Sequence, residues 1–282
     1  MSDLVILSLG AGVQSSVLAL MACRGELHPK PDHIMFADTG DEPAAVYEHL
    51  EWLKLELEKS GLKITTVSGG SIREDIQDIL YDTSDKAGRI GQPPFYTLNG
   101  SIHNATQGKL LRKCTTEYKI APMTKKIREL VGLKKGMHFP KDVRIIKLLG
   151  ISLDEVIRMK PSPFKWEEIL YPLIDLGMTR WDCFRWLKQH EYPTPPRSAC
   201  MICPFHSNDH WREMKRSRRE EFDSVCDFDD ELRVGKVPKV TGKVYLHRYC
   251  VPLREIDFDN DIDRGQGELD LWGGECEGLC GT

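Results

Sequence analysis

The sequence has no excess charge of either sign. Its 282 residues carry 39 Lys and Arg against 43 Asp and Glu, a formal net charge of -4, so no global basic field points to nucleic acid. It has no run of about 18 apolar residues, and so lacks a membrane-spanning helix. It has no internal repeat. The start, Met-Ser-Asp-Leu-Val-Ile-Leu-Ser-Leu-Gly, lacks a basic n-region and a small-residue cleavage site. That predicts a cytoplasmic protein without a membrane partner, in which thiols stay reduced. An even cysteine count is also missing: with nine, complete disulfide pairing within one chain is impossible. What the chain does have is 40% hydrophobic and 29% charged residues, an ordinary globular composition that excludes wholesale disorder and fibrous folds.

Strand and helix patterns alternate through the first 70 residues. Leu4-Val5-Ile6-Leu7 reads as a strand. A glycine-bearing turn, Ser8-Leu9-Gly10-Ala11-Gly12, follows, and then a helix with Val13, Val17, Leu18, Leu20 and Met21 on its apolar side. Gly25 and Pro29 end that helix. His33–Ala37 is the second strand, about Pro43 to Ser60 the second helix, and Lys63–Val67 the third strand. A fourth lies in Val143–Leu149. Strands joined by single helices make right-handed βαβ units. The expected fold is α/β, a parallel sheet with helices on both faces, plus a small, mostly helical, cysteine-containing C-terminal region. Pro193-Thr194-Pro195-Pro196 breaks any helix. It sets expected domains of 1–195, a nucleotide-binding part, and 196–282, a cap and tail. Asp82 to Gly108 is a long loop rich in Gly, Pro, Asn and Thr.

A strand, a small-residue turn with hydroxyls and a helix together suit phosphate. Backbone N–H groups approach the anion and the helix N-terminus adds partial positive charge. Ser8, Gly10, Gly12, Gln14, Ser15 and Ser16 fit that role. No Gly-Lys-Ser/Thr follows, so this is not a Walker A loop, and the third glycine of the dinucleotide fingerprint is missing. The plain alternative is an ordinary strand-to-helix turn.

Ser8–Ser16 resembles the PP-loop of the adenine nucleotide alpha-hydrolase superfamily, most nearly its phosphoadenosine phosphosulfate (PAPS) reductase family. Further segments agree in order: Phe36–Glu42, Arg112–Pro122 with its Cys…Lys…Pro pattern, Gly150–Glu155 with Arg158, and Tyr171–Asp175. The resemblance spans residues 4 to about 205. It implies an adenine nucleotide, ATP or PAPS/adenylyl sulfate, lined by Asp38, Thr39, Gly40 and Glu42, with Lys119 and Arg158 stabilising charge on the reacting phosphate or sulfate. ATP-cleaving members usually have Asp where Gln14 stands, and a neutral amide is a poorer magnesium ligand. Asp38, Asp41 or Glu42 remains as a carboxylate for magnesium.

Cys200-Met201-Ile202-Cys203-Pro204-Phe205-His206 is the sharpest local motif. Two cysteines three apart can face one metal, and Pro after the second also occurs at iron–sulfur sites. Cys114 lies in the family motif, and Cys276 and Cys280 lie in a glycine-rich tail. Three readings compete: a [4Fe–4S] cluster on Cys114, Cys200, Cys203 and Cys280 or Cys276; a zinc ion on Cys200, Cys203, His206 and one more cysteine; or a redox dithiol. Thiolate suits iron–sulfur and zinc alike, and the resemblance favours the cluster. Glu275-Cys276-Glu277-Gly278 also resembles the reductases' catalytic tail, which makes Cys276 the alternative nucleophile. Cys23, Cys183, Cys226 and Cys250 read as core filler.

From Lys109 to Lys147, twelve Lys or Arg face three Asp or Glu. That local excess fits a tRNA or DNA acceptor as well as a solvated face. Trp166, Trp181, Trp186 and Trp211 read as core anchors, and His206 and His210 as neighbours on one helix face. The resulting expectation is a PAPS-reductase-like PP-loop enzyme of sulfur chemistry. In one form ATP adenylates an acceptor oxygen and sulfur from the cluster displaces AMP. In another a thiolate reduces PAPS to sulfite. A nucleotide-sensing or nucleic-acid-associated module without turnover is the alternative from another class.

Overall fold

The computed structural model describes residues 2–81, 91–100, 104–237 and 240–259. Cys276, Cys280 and Trp272 therefore lie outside the described residues. Five parallel strands form the main sheet: β1 (Ser2–Leu9), β2 (His33–Asp38), β3 (Ile64–Ser68), β6 (Val143–Leu149) and β7 (Glu167–Leu170), in the order β3-β2-β1-β6-β7. Between β3 and β6 the chain makes two short strands, β4 (Tyr96–Asn99) and β5 (Thr106–Lys109). In the main sheet Leu7 is paired with Ile34 on one side and Leu148 on the other. Central strands covered on both faces read as unbroken apolar runs. That is why Val5–Leu9 and Ile145–Leu149 are buried almost throughout.

The helices are α1 (Val13–Arg24), α2 (Ala44–Glu58), α3 (Ile72–Tyr81), α4 (Ala121–Leu130), α5 (Pro172–Asp175), α6 (Arg180–Gln189), α7 (Asn208–Ser217) and α8 (Arg219–Val234). One core lies where α1, α2 and α6 cover a sheet face, around Val17, Leu18, Leu50, Leu53, Leu148 and Leu187. On the opposite face Met123 and Ile127 of α4 pack on Ile6, Met35 and Ile145. Helices thus flank both faces, and the α/β expectation is the observed fold. Its strand order reverses between β1 and β6, which puts the topological switch point at the carboxyl ends of those two strands. Among the described residues no helix is long and apolar enough to cross a membrane.

A second core sits beside the carboxyl edge. Trp211, Met214, Phe222, Phe228 and Leu232 of α7 and α8 meet Ile72, Ile76, Leu80, Phe95 and Tyr118 from earlier in the chain. A small antiparallel sheet β5-β4-β8 closes it, β8 being Lys243–Tyr245. This sheet has no counterpart in the sequence reading, because strands of three and four residues leave too little alternation to see. Trp211 and Trp186 are core residues as read, but Trp181 is 70% exposed.

One buried carboxylate ties this second layer together. Asp229 of α8 is fully buried and accepts from Leu246 N (2.9 Å), Leu253 N (2.8 Å) and Arg233 Nη1 (2.5 Å). Asp229→Ala strands two buried N–H groups, each worth about 1–3 kcal/mol. The expected loss in urea unfolding is roughly 2–5 kcal/mol; a loss below about 1 kcal/mol would contradict this role.

Candidate functional site

The turn after β1 is built from backbone strain and inward-facing hydroxyls. Ala11 holds φ 61°, a left-handed conformation that costs a non-glycine residue roughly 1–2 kcal/mol. Gly12 caps α1 without a side-chain bond, and the first turn of α1 has no acidic residue. The N–H groups at that helix end are thus not screened by a carboxylate. Ser15 Oγ accepts from Gly10 N at 3.1 Å. Ser16 Oγ lies 2.9 Å from His49 Nε2, and Ser8 Oγ contacts Met123 Sδ at 3.8 Å. Gln14, Ser15 and Ser16 are all fully buried. Of the residues read as phosphate holders, Gly10, Gly12, Gln14, Ser15 and Ser16 do meet at one turn at the switch point. The two serine hydroxyls brace that turn rather than facing outward, so an anion there meets backbone N–H groups.

Gln14 spans the switch point. Its Nε2 donates to Ser152 Oγ (3.4 Å) and Glu155 Oε2 (3.2 Å), in the segment after β6. Glu155 is buried and its other oxygen pairs with Arg158 Nη1 at 2.8 Å. The amide at position 14 therefore has a structural reason. A carboxylate there would face Glu155, whereas the amide donates to it. Gln14 Oε1 is buried with no hydrogen-bond partner among the described residues.

After β2 the chain turns over Asp38-Thr39-Gly40. Asp38 Oδ1 accepts from Gly40 N (2.8 Å) and Tyr47 Oη (2.9 Å). Gly40 sits at φ +70°, with Ser71 Cα only 3.0 Å from where a Cβ would be. Burial and the Asp38 carboxylate together raise the Tyr47 hydroxyl pKa, so Tyr47 remains a donor. Asp41 is 2% exposed; its Oδ1 takes Arg73 Nε at 2.7 Å and its Oδ2 takes Ile202 N at 2.9 Å. Burial pushes its pKa up, against the pull of Arg73. With both oxygens so engaged, Asp41 is a brace rather than a magnesium ligand.

That brace carries the Cys200–Cys203 turn, in which Cys203 N donates to Cys200 O at 3.0 Å. Cys200 Sγ lies 3.1 Å from Thr39 Oγ1 and 3.6 Å from Glu42 Oε1. Lys119 Nζ lies 3.8 Å from the same Glu42 oxygen and is buried. Lys119 comes from a π-helical turn, Thr115–Ile120, a distortion common at functional sites. Ser198 Oγ donates to Gly10 O, linking the approach to Cys200 to the phosphate turn. Thr39, Glu42, Lys119 and Cys200 thus converge at the carboxyl edge, whereas Arg158 stands with Gln14 and Glu155. Sequence reasoning missed Ser198, Ser152 and the stabilising role of Asp41. The available signals were the Ser198 hydroxyl two residues before Cys200 and the place of Ser152 within the Gly150–Glu155 motif.

Phe205 joins the Cys114 segment to this turn: Lys109 Nζ and Arg112 Cζ lie 4.9 and 5.4 Å from its ring centre. Cys114, Cys200 and Cys203 are half-buried, while Cys183, Cys226 and Cys250 are buried. Cys23, read as filler, is half-buried too. Cysteine sulfur suits a soft metal by chemistry. By position they do not yet make a site, since no group of three or more His, Cys, Asp or Glu that could hold a metal occurs among the described residues. His206 precedes α7 instead of lying on it, and is buried and stacked on His210 with ring centres 3.9 Å apart. Its Nε2 lies 3.0 Å from Cys200 O. Burial pushes the His206 pKa down to about 3 and also lowers that of His210.

Neither a scan against protein-family models nor a search of curated proteins finds a match for this chain. The PAPS-reductase resemblance stands on its motif residues.

Gln14→Glu sets a carboxylate against Glu155. A second carboxylate buried there without a partner should cost about 3–5 kcal/mol in urea unfolding; unchanged stability would contradict the Gln14–Glu155 contact. A second prediction concerns acid. Burial lowers the pKa of His49 and of His247 from 6.5 to about 4. Between pH 6.5 and about 4 the unfolded chain binds more protons at these residues, so their contribution to stability falls as pH falls through that window. Each contributes up to about 1.4 kcal/mol per pH unit. Melting temperatures of wild type and His49→Gln from pH 7 to 4.5 should converge on acidification; parallel curves would contradict a buried neutral His49.

Proposed function

We propose that this protein is an adenine-nucleotide-binding PP-loop enzyme of sulfur chemistry, similar to PAPS reductases, that adenylates an acceptor with ATP and passes sulfur to it. The observation that carries the reading is the juxtaposition at the carboxyl edge. A strained, glycine-flanked helix N-terminus lies at the switch point, and a thiol, Cys200, sits beside Thr39, Glu42 and Lys119. The N–H groups after Gly12 would take the phosphates. Lys119, held by Glu42, would neutralise charge that develops on the reacting phosphate. Arg158, aligned by Glu155, would steady the same group from the β6 side. Cys276 of the tail would carry the sulfur as a persulfide delivered by a sulfur donor; its outer sulfur would displace AMP, and a second thiol would then cleave the resulting disulfide to free the thiolated acceptor.

A second reading, reduction of PAPS or adenylyl sulfate to sulfite, is favoured by Gln14. It puts a neutral amide where ATP cleavage would use a carboxylate for magnesium. A [4Fe–4S] cluster on Cys114, Cys200, Cys203 and Cys280, or a zinc ion on Cys200, Cys203, His206 and one more cysteine, belongs to this proposal through ligand chemistry alone, and the roles of Lys119 and Arg158 do not depend on it. The acceptor we favour is a nucleic acid, and the cell compartment the cytoplasm.

Anaerobically purified protein given ATP should release pyrophosphate, and Lys119→Met should slow that release about 100-fold or more. Sulfite release from PAPS with a thiol donor, without pyrophosphate from ATP, would replace the first reading by the second. If neither product forms, both enzyme readings fail.

A further inference from the structure

Two grooves meet on the α4 side of the sheet. The first, of about 540 Å³, runs along the π-turn and α4 past Thr116, Thr124, Lys125 and Arg128 to Lys135 and Phe164. The second, of about 650 Å³, lies at the amino ends of β6 and β7, against Phe139, Lys141, Lys165 and Trp166. Their common wall is a three-ring stack. Phe139 and Trp166 lie 4.1 Å apart and 3° from parallel, and Phe164 and Trp166 lie 4.8 Å apart at 17°.

The charge along these grooves is of one sign once pairs are removed. Glu129 meets Lys126, Glu167 is held by Lys147 at 2.5 Å, and Glu168 is paired with Arg144. Lys125, Lys135, Lys141 and Lys165 are exposed. Arg128 adds its charge with Nη2 donating to Lys134 O and Met137 O. The upper end, Thr116, is three residues from Lys119 at the candidate site. From Thr116 to Arg128 the helical path covers about 18 Å.

We propose that these grooves form one track for single-stranded nucleic acid, with phosphates on the lysines and bases on or beside the Phe139–Trp166–Phe164 stack, leading one end of the strand toward Lys119 and Cys200. Exposed cations beside aromatic faces fit a polymer that carries both phosphate and planar bases. An acidic peptide would use the cations and leave the rings unexplained. The direction of the track, toward Lys119, rests on the functional reading above; the existence of the track does not.

The test is fluorescence anisotropy with labelled dT and rU 12-mers at about 50 mM salt, alongside ATP binding on the same samples. Wild type should bind at least one oligomer, with affinity falling steeply as salt rises. Lys135→Glu with Lys165→Glu, both exposed, should weaken binding about tenfold or more, while Lys63→Glu with Lys188→Glu leaves it nearly unchanged. Polyglutamate of equal charge should compete poorly. The track is overturned if no oligomer binds, if both variant pairs lose affinity alike, or if polyglutamate competes equally. Loss of ATP binding with oligomer binding intact would sink the nucleotide reading and leave the track standing.

Discussion

Asp41 is the constraint on which the rest of the architecture depends. It follows β2 at the carboxyl edge of the main sheet, and it is almost wholly buried. One oxygen holds Arg73 of α3, the other holds the backbone of Ile202, and its carbonyl accepts from Met201 N at 2.7 Å. Arg73 in turn donates to Ser224 of α8 at 2.9 Å. A single side chain therefore fixes the sheet, the second core and the cysteine turn relative to one another. Removing one partner of such a buried pair costs about 3–5 kcal/mol. Because Thr39 and Glu42 flank Asp41, the same contact sets where Cys200 stands.

The site is assembled from groups that satisfy each other before any ligand arrives. Ser15 and Ser16 shape the turn after β1 from inside, and Gln14 binds the two halves of the switch point through Glu155. Under the proposed function the anion would meet backbone N–H groups, whose positions are set by the fold and not by flexible side chains. Preorganised dipoles of that kind act strongly in a site shielded from water. The thiol, the lysine and the carboxylate at Cys200, Lys119 and Glu42 come from three distant parts of the chain. They meet only because the second core presses the cysteine turn onto the carboxyl edge.

Much of this was legible in the residues. Val143–Leu149 is the fourth parallel strand as read, and the Gly10–Ser16 turn stands where a βαβ unit requires. The order of the strands, and hence the switch point, was not legible: right-handed crossovers fix the face each helix covers, not which strands are neighbours. Other features were hidden for physical reasons. Asp41 looked like a metal carboxylate because sequence does not reveal that Arg73 and the Ile202 amide converge on it. His206 and His210 looked like neighbours on one helix face because their spacing is helical, yet the helix begins at Asn208. Trp181 looked like an anchor because tryptophan usually is; its face of α6 is not the one that packs on α1. The three-ring stack joins residues on either side of β6, so no local pattern announces it.

The central claim is that the turn after β1 receives the phosphates of an adenine nucleotide. A crystal structure of the full chain with a non-hydrolysable ATP analogue tests it most directly. The account predicts the phosphates against the backbone N–H groups between Gly12 and Ser15, with Lys119 and Arg158 turned toward them. A nucleotide bound elsewhere, or a phosphate turn left empty with the analogue at saturating concentration, would contradict it.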